Sequence, residues 1–250
     1  MTVRDADLHS SATTTAPASD PAFAPVAIDH FLALVEKPQR YIGGERNARH
    51  SPLSADVVKW ALCFPEVYEI GMSHLGLKIL YAILNDQPGA MADRAYCPWT
   101  DMEAEMRKRG VPAFAHESRA PLRAFDVLGF SLQYELTYGN VLTMLDLAGI
   151  PLHAADRREG DPIVIGGGPC MANPEPVADF FDAFLIGDGR RRCSRSTRRS
   201  SRIAPAAGTT PCASWPRSPG STCRPSMKCR TTRTARWRAS AAWIPTFRSR

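Results

Sequence analysis

All 25 acidic residues of this chain precede position 190, and the 61 residues that follow contain none. The break falls within Ile186-Gly187-Asp188-Gly189, where a hydrophobic pattern gives way to Arg190-Arg191-Arg192-Cys193-Ser194-Arg195. It decides where a fold can be sought. Residues 1–189 hold 15 Lys+Arg against 25 acids, a net charge of −10, and residues 190–250 hold 16 Lys+Arg, a net of +16. The overall +6 therefore averages two unlike segments, and a nucleic-acid reading built on it is disfavoured.

Residues 1–25 are rich in Ala, Thr, Ser and Pro and carry Asp5, Asp7 and Asp20 where a signal peptide needs an apolar core. Their composition predicts disorder. No apolar run approaches the roughly 20 residues that span a bilayer. Cys63, Cys97 and Cys170 stand singly, which suits a reducing cytoplasm better than a disulfide scaffold. Residues 26–56 form a lead-in segment, in which Ile28 to Val35 is apolar at helical spacing.

From residue 57 to 189, strand-length apolar runs alternate with helical periodicity. Val57–Phe64, Arg94–Trp99, Phe125–Leu132, Pro162–Ile165 and Ala183–Ile186 read as buried strands. Ser73 is placed to cap a helix with an apolar face of Leu77, Leu80, Leu84, Ile79 and Ile83. Thr100-Asp101-Met102-Glu103 has capping-box spacing, Glu103 and Arg107 are an i,i+4 pair, and Gly110 stands at a C-cap position. Another helix carries Val141, Leu142, Leu145 and Ala148 on one face and stops at Gly149. This order predicts an α/β fold with a doubly wound, mostly parallel sheet. Ligands of such sheets bind at the carboxyl ends of the strands.

Those ends carry the candidate site residues: Ser73, His74, Ser131, Gln133, Gly166, Gly167 and Gly168. The triple glycine admits close approach of a phosphate or flat cofactor, or is a plain tight turn. It has neither G-x-G-x-x-G spacing nor a P-loop lysine. His74 is either a cofactor or metal contact or a capping residue at a helix start. Tyr41, Trp99 and Tyr138 read as packing residues, and Asn173-Pro174-Glu175-Pro176 as a turn into a short helix.

After Gly189 the sequence is Arg, Ser, Pro, Thr and Cys with almost no aliphatic periodicity. Cys193, Cys212, Cys223 and Cys229 match no zinc or iron–sulfur spacing. Shifting the reading frame by one base, with GC-rich codons, turns Cys212–Pro225, Arg230–Arg238 and the stretch from Arg190 onward into helix-, turn- and strand-like sequence. Residues 190–250 are thus expected to be out-of-frame sequence, with a genuine basic tail as the alternative.

Arg40-Tyr41-Ile42-Gly43-Gly44-Glu45, Phe64 through Gly76 (with Glu69-Ile70-Gly71-Met72-Ser73-His74), Gly129 through Glu135, and Gly166 through Cys170 to Gly189 resemble the amino-terminal part of B12-binding-domain radical SAM proteins. The resemblance covers about residues 36–189. It implies a cobalamin-type α/β domain ahead of a barrel that holds a [4Fe–4S] cluster through C-x-x-x-C-x-x-C and cleaves S-adenosylmethionine to a radical. Two features depart from it. The D-x-H-x-x-G signature is missing, since Met72 stands where its Asp would be and His74 is one residue short of the glycine spacing. No C-x-x-x-C-x-x-C occurs anywhere, so the cluster and S-adenosylmethionine are not bound by this chain. The expected partners are a small-molecule cofactor and the missing radical SAM domain, and no membrane. Two rival readings remain: a flavodoxin-like module for FMN or another phosphate-bearing ligand, and a nucleic-acid-binding protein acting through the basic tail.

Overall fold

The computed structural model describes residues 23–49 and 57–187. The disorder expected for the first residues and the basic tail lie outside these, apart from residues 23–25. The strand-length runs mark the strands of one parallel sheet, the Arg94–Trp99 run only over Arg94–Tyr96: β1 (Val58–Phe64), β2 (Ala90–Tyr96), β3 (Val127–Ser131), β4 (Ile163–Gly167) and β5 (Ala183–Leu185). Their order is β2-β1-β3-β4-β5. This is the flavodoxin-like doubly wound order, whose topological switch point lies between β1 and β3.

Side-chain alternation along β1 builds two apolar layers. Ala61 and Cys63 enter the larger core, with Leu128, Phe130 and Val164 of the neighbouring strands. That core is closed by α3 (Thr100–Arg109), α4 (Tyr138–Leu147) and the lead-in segment, whose Ile28, Phe31 and Val35 are buried. Trp60, Leu62 and Phe64 point the other way, under α2 (Leu75–Asn85) with its Leu77, Tyr81 and Leu84. A six-residue helix α1 (Tyr68–Ser73) precedes α2.

Several local expectations are corrected by the geometry. Ser73 does not cap α2: its hydroxyl donates to the Ile70 carbonyl at 2.9 Å, and His74 is the cap, its Nδ1 accepting from the Leu77 N–H at 3.2 Å. The imidazole reaches the third residue of α2 as a shorter serine on α1 cannot. Thr100 does not close a capping box, because helix α3 starts one residue earlier, with Trp99 at the N-cap. The Asp101 carboxylate instead accepts the Met102 and Glu36 N–H groups, at 2.6 and 2.7 Å. The Glu103–Arg107 pair forms at 2.8 Å, and Gly110 closes α3 in the left-handed region (φ 64°), where glycine carries no Cβ penalty. The lead-in apolar stretch folds as a turn and a single 3₁₀ turn (Leu32–Leu34) rather than a longer helix. Asn173–Pro176 leads into the 3₁₀ segment Glu175–Phe180.

Candidate functional site at the carboxyl edge of the sheet

At the switch point, β1 ends in Phe64-Pro65-Glu66 and β3 in Ser131-Leu132-Gln133-Tyr134. The two ends are tied across the crevice. Asn140 Nδ2 donates to the Pro65 carbonyl at 2.9 Å, and the Tyr134 hydroxyl donates to the Glu66 carboxylate. That hydrogen bond holds the Tyr134 phenol above its ordinary pKa. Gln133 Nε2 donates to Ser131 Oγ at 3.0 Å, so these two candidate residues satisfy one another at the strand end. Ser73 and His74 lie across β1 at the α1–α2 junction. The His74 ring packs at 5.0 Å on Phe64, and its Nδ1 is engaged in the cap.

The three glycines have different surroundings. A Cβ on Gly168, at φ 104°, would overlap the Leu132 carbonyl oxygen, so this position needs glycine for a backbone-to-backbone approach. A Cβ on Gly166 would stand 3.0 Å from Met171 Sδ and from the Phe184 ring, whose side chains fill the space beneath the turn. Gly167 has nothing closer than 3.9 Å and is the open member of the three. Glu66 lies in the loop after β1, and Glu69 of α1 is paired with Arg40 at 2.9 Å and Lys37 at 3.7 Å.

A second polar assembly, not found from sequence, lies beside β2. Glu45 of the lead-in segment accepts from the Tyr68 hydroxyl and stands 3.4 Å from His116 Nε2. Burial pulls the His116 pKa down, against Glu45, while the Tyr68 phenol is pushed up to about 12 by desolvation and Glu45. Next to it, Arg94 and Glu117 form a buried ion pair, with side chains 5% and 0% exposed. Arg94 Nε meets Glu117 Oε1 at 2.5 Å, and Glu117 Oε2 accepts the Arg94 backbone N–H at 2.6 Å. The guanidinium carbon lies 4.5 Å from the Tyr81 ring centroid. Desolvation pushes the Glu117 carboxyl up to about 7, although Arg94 opposes the shift. A cavity of about 30 Å³ opens nearby, lined by Arg40, Tyr41, Tyr68, Tyr96, Phe114 and His116 among others. It has room for a water and not for a cofactor. It sits under the lead-in segment, away from the β1–β3 crevice. The signal that could have revealed this assembly was charge inside an apolar run, Asp93-Arg94.

Exposed apolar side chains concentrate on one side of the molecule. Ile70 and Leu75 follow β1, Trp99 follows β2, Tyr134 and Leu136 follow β3, and Ile186 follows β5. Leu136 is 88% exposed. Ile42 lies in the lead-in segment beside Gly43, which abuts the His116 carbonyl. The other large hydrophobic residues exposed among the described ones, Leu34 and Ile42, both lie in the lead-in segment.

No helix among the described residues is long and apolar enough to cross a membrane. Among them, no group of three or more His, Cys, Asp or Glu side chains could hold a metal ion.

The five-stranded parallel sheet in the order β2-β1-β3-β4-β5 defines a doubly wound α/β domain. The model of the family described as "Radical SAM proteins, N-terminal" matches residues 76–205, and the chain belongs to that family. The match begins at α2 and runs 16 residues beyond Gly189. The chain is also 27% identical over 131 residues to an uncharacterized protein of Methanocaldococcus jannaschii, covering 51% of this chain and 23% of that protein. The matched stretch thus spans less than a quarter of the relative's length.

Proposed function

We propose that this chain is the amino-terminal, cobalamin-domain-like cap of a radical SAM enzyme, and that the carboxyl edge of its sheet packs on the domain that follows. The observation that carries the reading is the row of exposed Ile70, Leu75, Trp99, Tyr134, Leu136 and Ile186 on the edge where β5 delivers the chain onward. In this reading the apolar loops exclude water from the joint. The Tyr134–Glu66 and Asn140–Pro65 bonds hold the two halves of the edge in register.

The [4Fe–4S] cluster and S-adenosylmethionine would supply radical chemistry in the following domain. The sequence holds no three-cysteine motif for them, and the described residues offer no cluster of ligands. Cobalamin does not fit as a histidine-ligated, tail-inserted group. Nδ1 of His74 is spent on the α2 cap, and the space below the triple glycine is filled by Met171 and Phe184. The domain therefore keeps the cobalamin-type fold without its cobalt ligand. The residues after Gly189 are read as out-of-frame sequence replacing the start of that following domain.

The test is hydrogen exchange on the chain extended in the restored frame, compared with the chain as given. Residues 70–75 and 134–136 are expected to gain protection in the extended protein. Equal exchange in both proteins would sink the docking reading. A hydroxocobalamin titration adds a second check: no histidine-dependent spectral change is expected, and a change abolished by His74→Ala would overturn the statement on fit.

A further inference from the structure

Met72 lies in the last turn of α1 with its thioether facing two donors of β2. Its Sδ accepts from Arg94 Nη1 at 3.0 Å and from the Tyr96 hydroxyl at 3.7 Å. A guanidinium carries five N–H donors, and a thioether is among the weakest acceptors a protein offers. Arg94 is short of partners at this place: Nε goes to Glu117, and Nη2 is buried with no hydrogen-bond partner among the described residues. The remaining described methionines, Met91, Met102, Met106, Met144 and Met171, lie in the core at 2% exposure or less, whereas Met72 is partly exposed.

We propose that Met72 is a site of reversible oxidation to the sulfoxide by a peroxide, with Arg94 as the receptor of the new oxygen. The step is a two-electron transfer. The peroxide O–O bond breaks, one oxygen bonds to Sδ, the sulfur is oxidised, and the peroxide is reduced to water. A thiol-dependent sulfoxide reductase reverses it. The sulfoxide oxygen is a strong acceptor beside Nη1, the donor that the sulfur now meets, so a weak acceptor of the buried guanidinium is replaced by a strong one. In the core methionines the same oxygen would be a buried polar atom with no donor, and oxidation there disrupts packing. The modification fastens α1 to β2. Because Glu69 of α1 binds Arg40 at 2.9 Å and Lys37 at 3.7 Å, it also fastens the lead-in segment to the sheet edge. This inference stands on local chemistry and is independent of the proposed docking.

The experiment treats the full chain with hydrogen peroxide and follows each methionine by peptide mass spectrometry, with a thermal melt of the product. Met72 is expected to oxidise roughly tenfold faster than the five core methionines, and the oxidised chain to melt no lower than the untreated one. A rate no faster than the core set, or a lowered Tm once Met72 alone is oxidised, overturns the proposal. Met72→Gln provides a second readout by placing an amide oxygen where the sulfoxide oxygen would lie. It is expected to keep the Tm, while Met144→Gln lowers it sharply. An equal loss in both variants overturns the role given to Arg94.

Discussion

Arg157 offers the sharpest test of how the β4–β5 side of the sheet is held. Its side chain is fully buried and makes four hydrogen bonds: Nε to the Pro151 carbonyl at 3.0 Å, Nη1 to Asp182 at 2.8 Å, and Nη2 to the Leu152 and Phe180 carbonyls at 2.9 and 2.6 Å. The same Asp182 oxygen accepts the Val164 N–H of β4 at 2.8 Å. Arg157→Met keeps the volume and the apolar stem but leaves a buried carboxylate without its cation and three carbonyls without this donor. Removing one member of a buried pair costs about 3–5 kcal/mol, a large part of the roughly 5–15 kcal/mol that holds a domain together. With an m-value of about 2 kcal/mol/M, the urea midpoint should fall by roughly 2 M. The assay is urea unfolding of the full chain followed by far-UV circular dichroism. The double variant with Asp182→Asn should lose clearly less than the sum of the two single losses, because the orphaned charge is then gone. A single-variant loss under about 1 kcal/mol, or strict additivity, would refute the account of Arg157 as the clamp of this edge.

Gly168→Ala should cost about 2–3 kcal/mol, since its Cβ would meet the Leu132 carbonyl in a left-handed backbone conformation, while Gly167→Ala should stay within about 0.5 kcal/mol. Thermal melts of the pair decide this, and similar losses in both would contradict the close approach. The buried carboxyl of Glu117 has its pKa raised to about 7 from 4.5, so its contribution to stability is present below the unfolded value and is lost as pH rises toward 7. His116, with a lowered pKa, acts in the opposite sense: its contribution is present above the unfolded value of 6.5 and is lost as pH falls. Glu117→Gln should therefore make stability rise more steeply with pH between 4.5 and 7 than in the unaltered chain. Urea midpoints across that range measure it, and an unchanged slope would show that Glu117 does not titrate there.

The strands were legible because a strand buried on both faces has to be an apolar run, as in Val57–Phe64 and Phe125–Leu132. The start of β2 was not. The strand begins at Ala90, four residues before the expected Arg94, because its opening residues have small or charged side chains with weak strand propensity. Asp93 and Arg94 are buried there by partners remote in sequence: Glu117, Ser118 and Met72. Tyr81 was missed for a similar reason, since an aromatic beside Leu80 and Leu84 gives no hint that a guanidinium will stack on it. The candidate residues at the carboxyl edge followed from strand ends alone, and the structure brings Ser131 and Gln133 into contact. It gives His74 a capping bond, which the sequence had left open against ligand contact. Helix caps fell one residue from their expected places because α1 runs through Ser73, which leaves His74 at the N-cap of α2, and because α3 begins at Thr100 itself.

The break in charge at residue 190 and the burial of the sheet converge on the same gap. From β1 to β2 the chain winds one way with α1 and α2 on one face, and from β2 through β5 it winds back with α3 and α4 on the other, as right-handed crossovers require. On the α3–α4 face, Leu128, Phe130 and Val164 are buried. On the α2 face, Val127 and Ile163 are buried, while Gly129, Ser131, Ile165, Gly167 and Leu185 of β3, β4 and β5 are partly exposed. A further helix packed on these partly exposed positions would need an apolar stripe. The sequence after Gly189 provides 16 Lys+Arg and no aliphatic period. On the proposed out-of-frame reading, sequencing the gene from the Gly189 codon onward should find the shifted frame open and leading to C-x-x-x-C-x-x-C. A shifted frame that closes within a few codons would mean that the basic tail is genuine and that some other body covers β3 to β5.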